Sequence, residues 1–442
     1  MQLRRIAVAI AAVAILGAGV ACSDKDDAGV TPAAMDAPSA TPTPGRSPAA
    51  TPTRGPSPTP SPGLDDVRAE LEAHVLDTIP GDARADEGSF DGILSVVALP
   101  IYSGAYGQFT SPWLVVTVGR PKFDPFYPHF AAVYQDQDGA WAKLDRLSLD
   151  DAEFIAPESV QPVDLEPSLD WATIDAGVGA HGGYFALLSW DGSRLRLEVS
   201  NFSGSPDAGY VGDDLDGDGD LEVFLDTSNY DVFCYACGVV DWHTDIYRWD
   251  GRRLERVELK LVALSSPATA EERANNRAVT FANGHRWKEA YREVRAARLL
   301  DASDETIRWN AFFIRENARQ RIDGARDATY PFLQHVFAGD WDAAVDELRD
   351  VPLAQLFAAD SPVIAGTVVE GWEDVLVSEV LRITSVARFA GPEVAALEFL
   401  HGWALQMETP GSDGARAALQ RAADLAPGDG FYAAVAALVE GG

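Results

Sequence analysis

Ala186-Leu187-Leu188-Ser189-Trp190-Asp191-Gly192-Ser193-Arg194-Leu195-Arg196-Leu197 reads as two strands joined by a tight turn. Apolar positions flank an Asp-Gly pair, and such a pair between strand-like runs marks a hairpin because its residues tolerate positive φ. The same pattern occurs on either side. Ala131-Ala132-Val133-Tyr134-Gln135-Asp136-Gln137-Asp138-Gly139 leads into Ala140-Trp141-Ala142-Lys143-Leu144, and Asp245-Ile246-Tyr247-Arg248-Trp249-Asp250-Gly251 leads into Arg252-Arg253-Leu254. The turns lie 53 and 59 residues apart, a period that suits a repeated β unit. Further runs of strand length are Ile93 to Leu99, Trp113 to Val118, Leu221 to Leu225 and Leu254 to Leu259. Residues 64–263 are therefore expected to be a β-rich domain, opened by a short amphipathic helix from Leu64 to about Asp77. Trp190 and Trp249 are expected to be cross-strand packing residues.

Between the second and third hairpins stands Asp214-Leu215-Asp216-Gly217-Asp218-Gly219-Asp220-Leu221-Glu222. Acidic oxygens fall at loop positions 1, 3, 5 and 9, and Asp220 at position 7 offers its backbone carbonyl. A hard cation needs six or more such oxygens, and calcium is the ion this spacing fits. Gly217 and Gly219 let the backbone turn where a Cβ would clash. An EF-hand would close with an acid at position 12, which here is Leu225, and the run after the loop alternates like a strand. The loop resembles the FG-GAP/VCBS repeats of integrin-type β-propellers over about one repeat, with Glu222 in place of the usual Asp. The resemblance implies structural Ca2+ held by Asp214, Asp216, Asp218, Asp220 and Glu222. It also implies a propeller-like β-domain, incomplete because three hairpins fall short of the four to eight blades of a ring. The competing reading is a solvated Asp/Gly turn.

After Ser265-Ser266-Pro267 the period changes from two to that of amphipathic helices. Ala278, Phe281, Trp287, Ala290, Tyr291, Val294 and Ala297 resemble a tetratricopeptide (TPR) unit. A second unit surrounds Val336-Phe337-Ala338-Gly339-Asp340-Trp341, and a third runs from Leu400 to Asp429. Leu353 to Arg388 fits no unit. The resemblance implies that residues 267–442 form a TPR-like helical solenoid of stacked helix pairs that receives a protein or peptide partner. The fold class expected is thus multidomain: a mostly-β, propeller-like N-terminal domain followed by an α-helical, TPR-like solenoid.

The N-terminus reads as a targeting segment. Arg4 and Arg5 precede an apolar run, and Gly19-Val20-Ala21-Cys22 resembles the bacterial lipoprotein box. The expectation is a signal peptide at 1–21, a lipidated Cys22, and a location on the extracytoplasmic side of the bacterial cell envelope, with the membrane as one partner. Residues 23–63 hold ten prolines among Thr, Ser, Ala and Gly. They read as a disordered linker able to reach on the order of 100 Å. Two cysteines remain, Cys234 and Cys237. A local disulfide suits an oxidising compartment. Half a zinc site, with His243 and Asp241 nearby, and a redox motif are the alternatives.

The formal charge is −33, which repels nucleic acid and argues against it as a partner. Within 271–326, however, twelve Lys and Arg face nine Asp and Glu. That basic run, including Arg292, Arg295 and Arg298, suggests either docking on the acidic β-domain or capture of an acidic peptide. None of the seven histidines lies in H-E-x-x-H, and no G-x-S-x-G occurs. A non-catalytic anchored binding or scaffold protein is the expectation. The alternatives are a surface sensor, a carbohydrate- or polymer-binding protein, or a hydrolase whose active site is not legible.

Overall fold

The computed structural model describes residues 63–86, 89, 91–101, 111–122, 126–358 and 360–441. Residues 1–62 lie outside the described residues, and so do the expectations that rest on them: the signal peptide, the lipidated Cys22 and the disordered linker. The described residues belong to one compact unit, residues 60–442.

Helix α1 (Leu64–Thr78) buries Leu64, Leu71 and Val75, spaced to share one face. They pack on β1 (Gly92–Pro100), β2 (Trp113–Arg120) and β3 (His129–Gln137). Next come β4 (Ala140–Leu149), β5 (Phe154–Val163), β6 (Asp170–Val178), β7 (Gly182–Trp190) and β8 (Leu195–Ser203). All pairings are antiparallel, in the order β4-β3-β2-β5-β6-β7-β8, with β1 added on β2. Alternate residues face opposite sides. Leu114, Val116, Ile174, Ala186, Leu188 and Trp190 fill the inner face of the curl. The sheet curls into a half-barrel whose outer strands meet, and the Leu195 N–H donates to Asp145 Oδ2 at 2.9 Å.

This arrangement differs from the propeller expected above. The Asp-Gly hairpins form as read, but two of them are members of one continuous sheet, because β5 and β6 hydrogen-bond the first hairpin's neighbours to the second hairpin. Their turns also differ. Asp138 and Gly139 both have positive φ. At the other two turns only Gly192 and Gly251 do. There the Asp carboxylates accept main-chain N–H groups instead, Asp191 from Ser193 and Arg194, Asp250 from Arg252 and Arg253.

The third hairpin belongs to a second sheet of β9 (Gly209–Val211), β10 (Val223–Asp226), β11 (Thr244–Trp249) and β12 (Leu254–Arg256), ordered β12-β11-β10-β9. It is a middle layer. Val223, Leu225 and Trp249 pack on Trp171, Phe185 and Leu187 of the half-barrel. Phe224 and Ile246 point the other way, into the helices. Trp249 meets Trp171 edge-on at 5.2 Å.

The helices are α2 (Ala270–Asn283), α3 (Trp287–Ala296), α4 (Glu305–Arg326), α5 (Pro331–Ala338), α6 (Trp341–Arg349), α7 (Glu373–Ala387), α8 (Ala395–Glu408), α9 (Asp413–Leu425) and α10 (Gly430–Glu440). A Thr269/Glu272 capping box starts α2, and side chains of Asp304, Ser412 and Asp429 cap α4, α9 and α10, which satisfies otherwise orphaned N–H groups. Gly339 in the left-handed region ends α5. Gly402 lets α8 approach α9, since a Cβ there would lie 2.8 Å from Leu419. The layout is β then α, and Arg292, Arg295 and Arg298 are exposed.

Candidate metal centre

The acidic loop joins β9 to β10. Asp214 organises it: its two carboxylate oxygens accept the N–H groups of Gly217 (2.6 Å) and Gly219 (3.0 Å). Both glycines have positive φ, 83° and 99°, a conformation that L side chains resist. Asp216 and Asp218 each accept the N–H two residues on. The result brings ligand oxygens of Asp214, Asp216 and Asp218 within 4.8 Å of one another. Asp220 and Glu222 are outside that cluster. The Glu222 carboxylate is buried beneath it and accepts the Leu215 N–H at 2.6 Å.

The electrostatics are those of crowded carboxylates. Burial, reinforced by Asp216, Asp214 and Asp218, pushes the Glu222 carboxyl up to about 8. Burial and then the neighbouring acids also raise Asp216 and Asp220. Oxygen donors in this number and this repulsive state suit a hard divalent cation. The loop is anchored on both sides. The Leu221 N–H donates to Leu165 O of the half-barrel at 2.9 Å, while Leu215 packs among the helices.

Cys234 and Cys237 form a disulfide with an S–S distance of 2.09 Å. His243 and Asp241, the neighbours weighed as zinc ligands, are engaged elsewhere. His243 lies 3.3 Å from Asp245 through Nε2 and accepts from Arg321 at Nδ1, also at 3.3 Å. Asp241 pairs with Arg382 at 2.9 Å and faces Arg321 at 3.7 Å. Arg321 is buried over the Trp287 ring, and burial pushes it down to about 10. This hub of charges was invisible in the sequence because its members are 78 and 141 residues apart. Three asparagines were missed for the same reason. Asn317 pairs both main-chain groups of Thr244, Asn310 those of Lys260 and Asn276 those of Val262.

The chain matches no protein-family model and no curated protein. Among the described residues, no helix is long and apolar enough to cross a membrane.

Proposed function

We propose that this chain is a lipid-anchored, non-catalytic binding or scaffold protein of the bacterial cell envelope. In this reading a calcium ion fixes the loop 214–222 and the helical layer receives a protein or peptide partner. The observation that carries it is the convergence of Asp214, Asp216 and Asp218 in a loop fastened to both the half-barrel and the helices. Those three carboxylates, with Glu222 and the Asp220 carbonyl, would hold the ion. When bound it supplies positive charge that relieves the repulsion among them. The chain's own part is structural: Leu215 and Leu221 transmit a fixed loop to the layers on either side. The strand that follows the loop fits the FG-GAP/VCBS resemblance, and the pairs α2–α3, α5–α6 and α8–α9 fall on the three TPR-like units.

Calcium is expected to raise the melting temperature, since a ligand of the native state alone stabilises it by about 2.7 kcal/mol at a hundredfold excess over its dissociation constant. Asp218→Ala is expected to abolish that rise. A melting curve of the full chain indifferent to millimolar calcium would remove the metal from this reading. The anchor is tested separately: Cys22→Ser should move the protein from the membrane to the soluble fraction, and unchanged retention would refute lipidation.

A further inference from the structure

Between β12 and α2 the chain runs extended along the helices, and its two edges are in different states. Asn310 accepts the Lys260 N–H at 2.9 Å and donates to Lys260 O at 2.7 Å. Asn276 does the same for Val262, at 2.9 Å each way. Leu259, Leu261 and Ala263 make no main-chain hydrogen bond among the described residues. Successive residues of an extended chain turn their N–H and C=O groups to opposite edges. The edge of 259, 261 and 263 is therefore open, and such an edge is a template for one more strand.

A groove of about 400 Å³ adjoins the end of this segment, lined by Leu264, Phe281, Pro392, Arg273 and Arg277 among others, with no acidic residue in the lining. Its walls are fixed. The two asparagines hold one side. On the other, buried Arg286 donates to Pro392 O at 3.0 Å, and Gly391 lies where a Cβ would strike Phe281. Apolar side chains stand uncovered at the rim: Leu261 is 64% exposed and Phe389, next to the lining residue Ala390, is 85% exposed. Arg273 and Arg277 sit one turn apart on α2. Arg273 donates to Ala268 O and lies in the field of Glu272, and Arg277 pairs with Glu293. With five N–H donors each, both guanidinium groups keep donors to spare.

We infer that this surface binds an extended acidic segment of a partner protein. The segment adds as a strand to the edge of 259–263, seats an apolar side chain in the groove and sets carboxylates against Arg273 and Arg277. An acidic partner is the one this patch favours, because Arg273 and Arg277 are the charged residues of the groove lining and outweigh locally the acidity of the rest of the chain. The inference rests on the reading of the protein as a binding protein and adds where and what it binds.

The probe is a short fluorescein-labelled peptide alternating glutamate with leucine, titrated against the full chain at low salt and followed by anisotropy. Binding is expected to weaken with salt and to fall about tenfold in the Arg273→Glu, Arg277→Glu double variant, whose sites are exposed. It is expected to vanish when alternate peptide amides are N-methylated. No binding at about 1 mM, equal binding of the methylated peptide, or an unaffected double variant with an unchanged melting curve would each overturn the inference. Crosslinking in a membrane extract separates the two readings. A partner captured equally by wild type and double variant sinks this surface and spares the binding function, whereas no partner with either sinks the binding function itself.

Discussion

His129 is completely buried, and both ring nitrogens are engaged, Nδ1 with Thr117 Oγ1 and Nε2 with Gly119 O, each at 3.0 Å. Burial lowers it from 6.5 to about 4. His401, buried beside Thr384, is lowered to about 4 by burial and by Arg388. A histidine whose folded value is depressed takes up its proton first in the unfolded chain. Its stabilising effect is therefore full above about 6.5 and is lost as pH falls toward 4. Each ring should cost about 2 kcal/mol of stability between pH 7 and pH 5. His129→Gln should shrink the difference between urea melts at those two pH values by about that amount, and an unchanged difference would show that the ring titrates normally. At this scale the sequence is legible where partners are close along the chain. The Asp214, Asp216 and Asp218 cluster could be read because a loop of alternating acids determines its own convergence. His243 could not, since its tautomer and partners depend on Arg321 arriving from α4.

Elements show the same division. The hairpins β3–β4, β7–β8 and β11–β12 were legible because Asp-Gly turns act locally. Strand β5 was not, because Pro157 and Pro162 argue against a strand. The sheet accommodates Pro157 inside a register shift between Ile155 and Val160. Strand β6 was missed because Ala172, Thr173, Asp175 and Ala176 give a weak pattern, and pairing with β7 makes the strand. Continuity of the sheet, in place of blades, follows from registers between strands that no local pattern encodes. The extended segment after β12 gives the test at this scale. Asn310 is buried and serves Lys260 and Asn275 together. Asn310→Ala should destabilise the protein by about 1–3 kcal/mol, since it strands polar groups while removing no apolar packing. A change below about 0.5 kcal/mol in urea unfolding would mean that water replaces the clamp.

Across the whole molecule the order of β then α was legible from the change of period near Pro267, but the way the layers share their cores was not. The helical core is completed by residues that precede residue 267. Phe224, Ile246 and Val257 enter the cluster around α2, α3 and α4. Val232, Phe233, Cys237 and Val239 enter the cluster that runs from α5 to α10. Polar ties cross the same boundary: Gln334 donates to Val240 O at 2.9 Å, Asn317 holds Thr244, and Asp241 pairs with Arg382 and faces Arg321. Removing a fully buried large apolar side chain costs about 1.5–3 kcal/mol. The six valine, isoleucine and phenylalanine side chains that enter these clusters together contribute about 9–18 kcal/mol, as much as the roughly 5–15 kcal/mol that keeps a domain folded. A fragment of residues 267–442 is therefore expected to show no cooperative thermal transition and weak near-ultraviolet circular dichroism, because helices that lack fixed packing keep secondary structure alone. Adding residues 64–262 in trans should restore the transition, and Arg321→Met in the helical fragment should weaken that rescue by stranding Asp241 and His243. If the fragment alone melts cooperatively near the temperature of the full chain, the helices form an autonomous domain and the β layers merely rest on it.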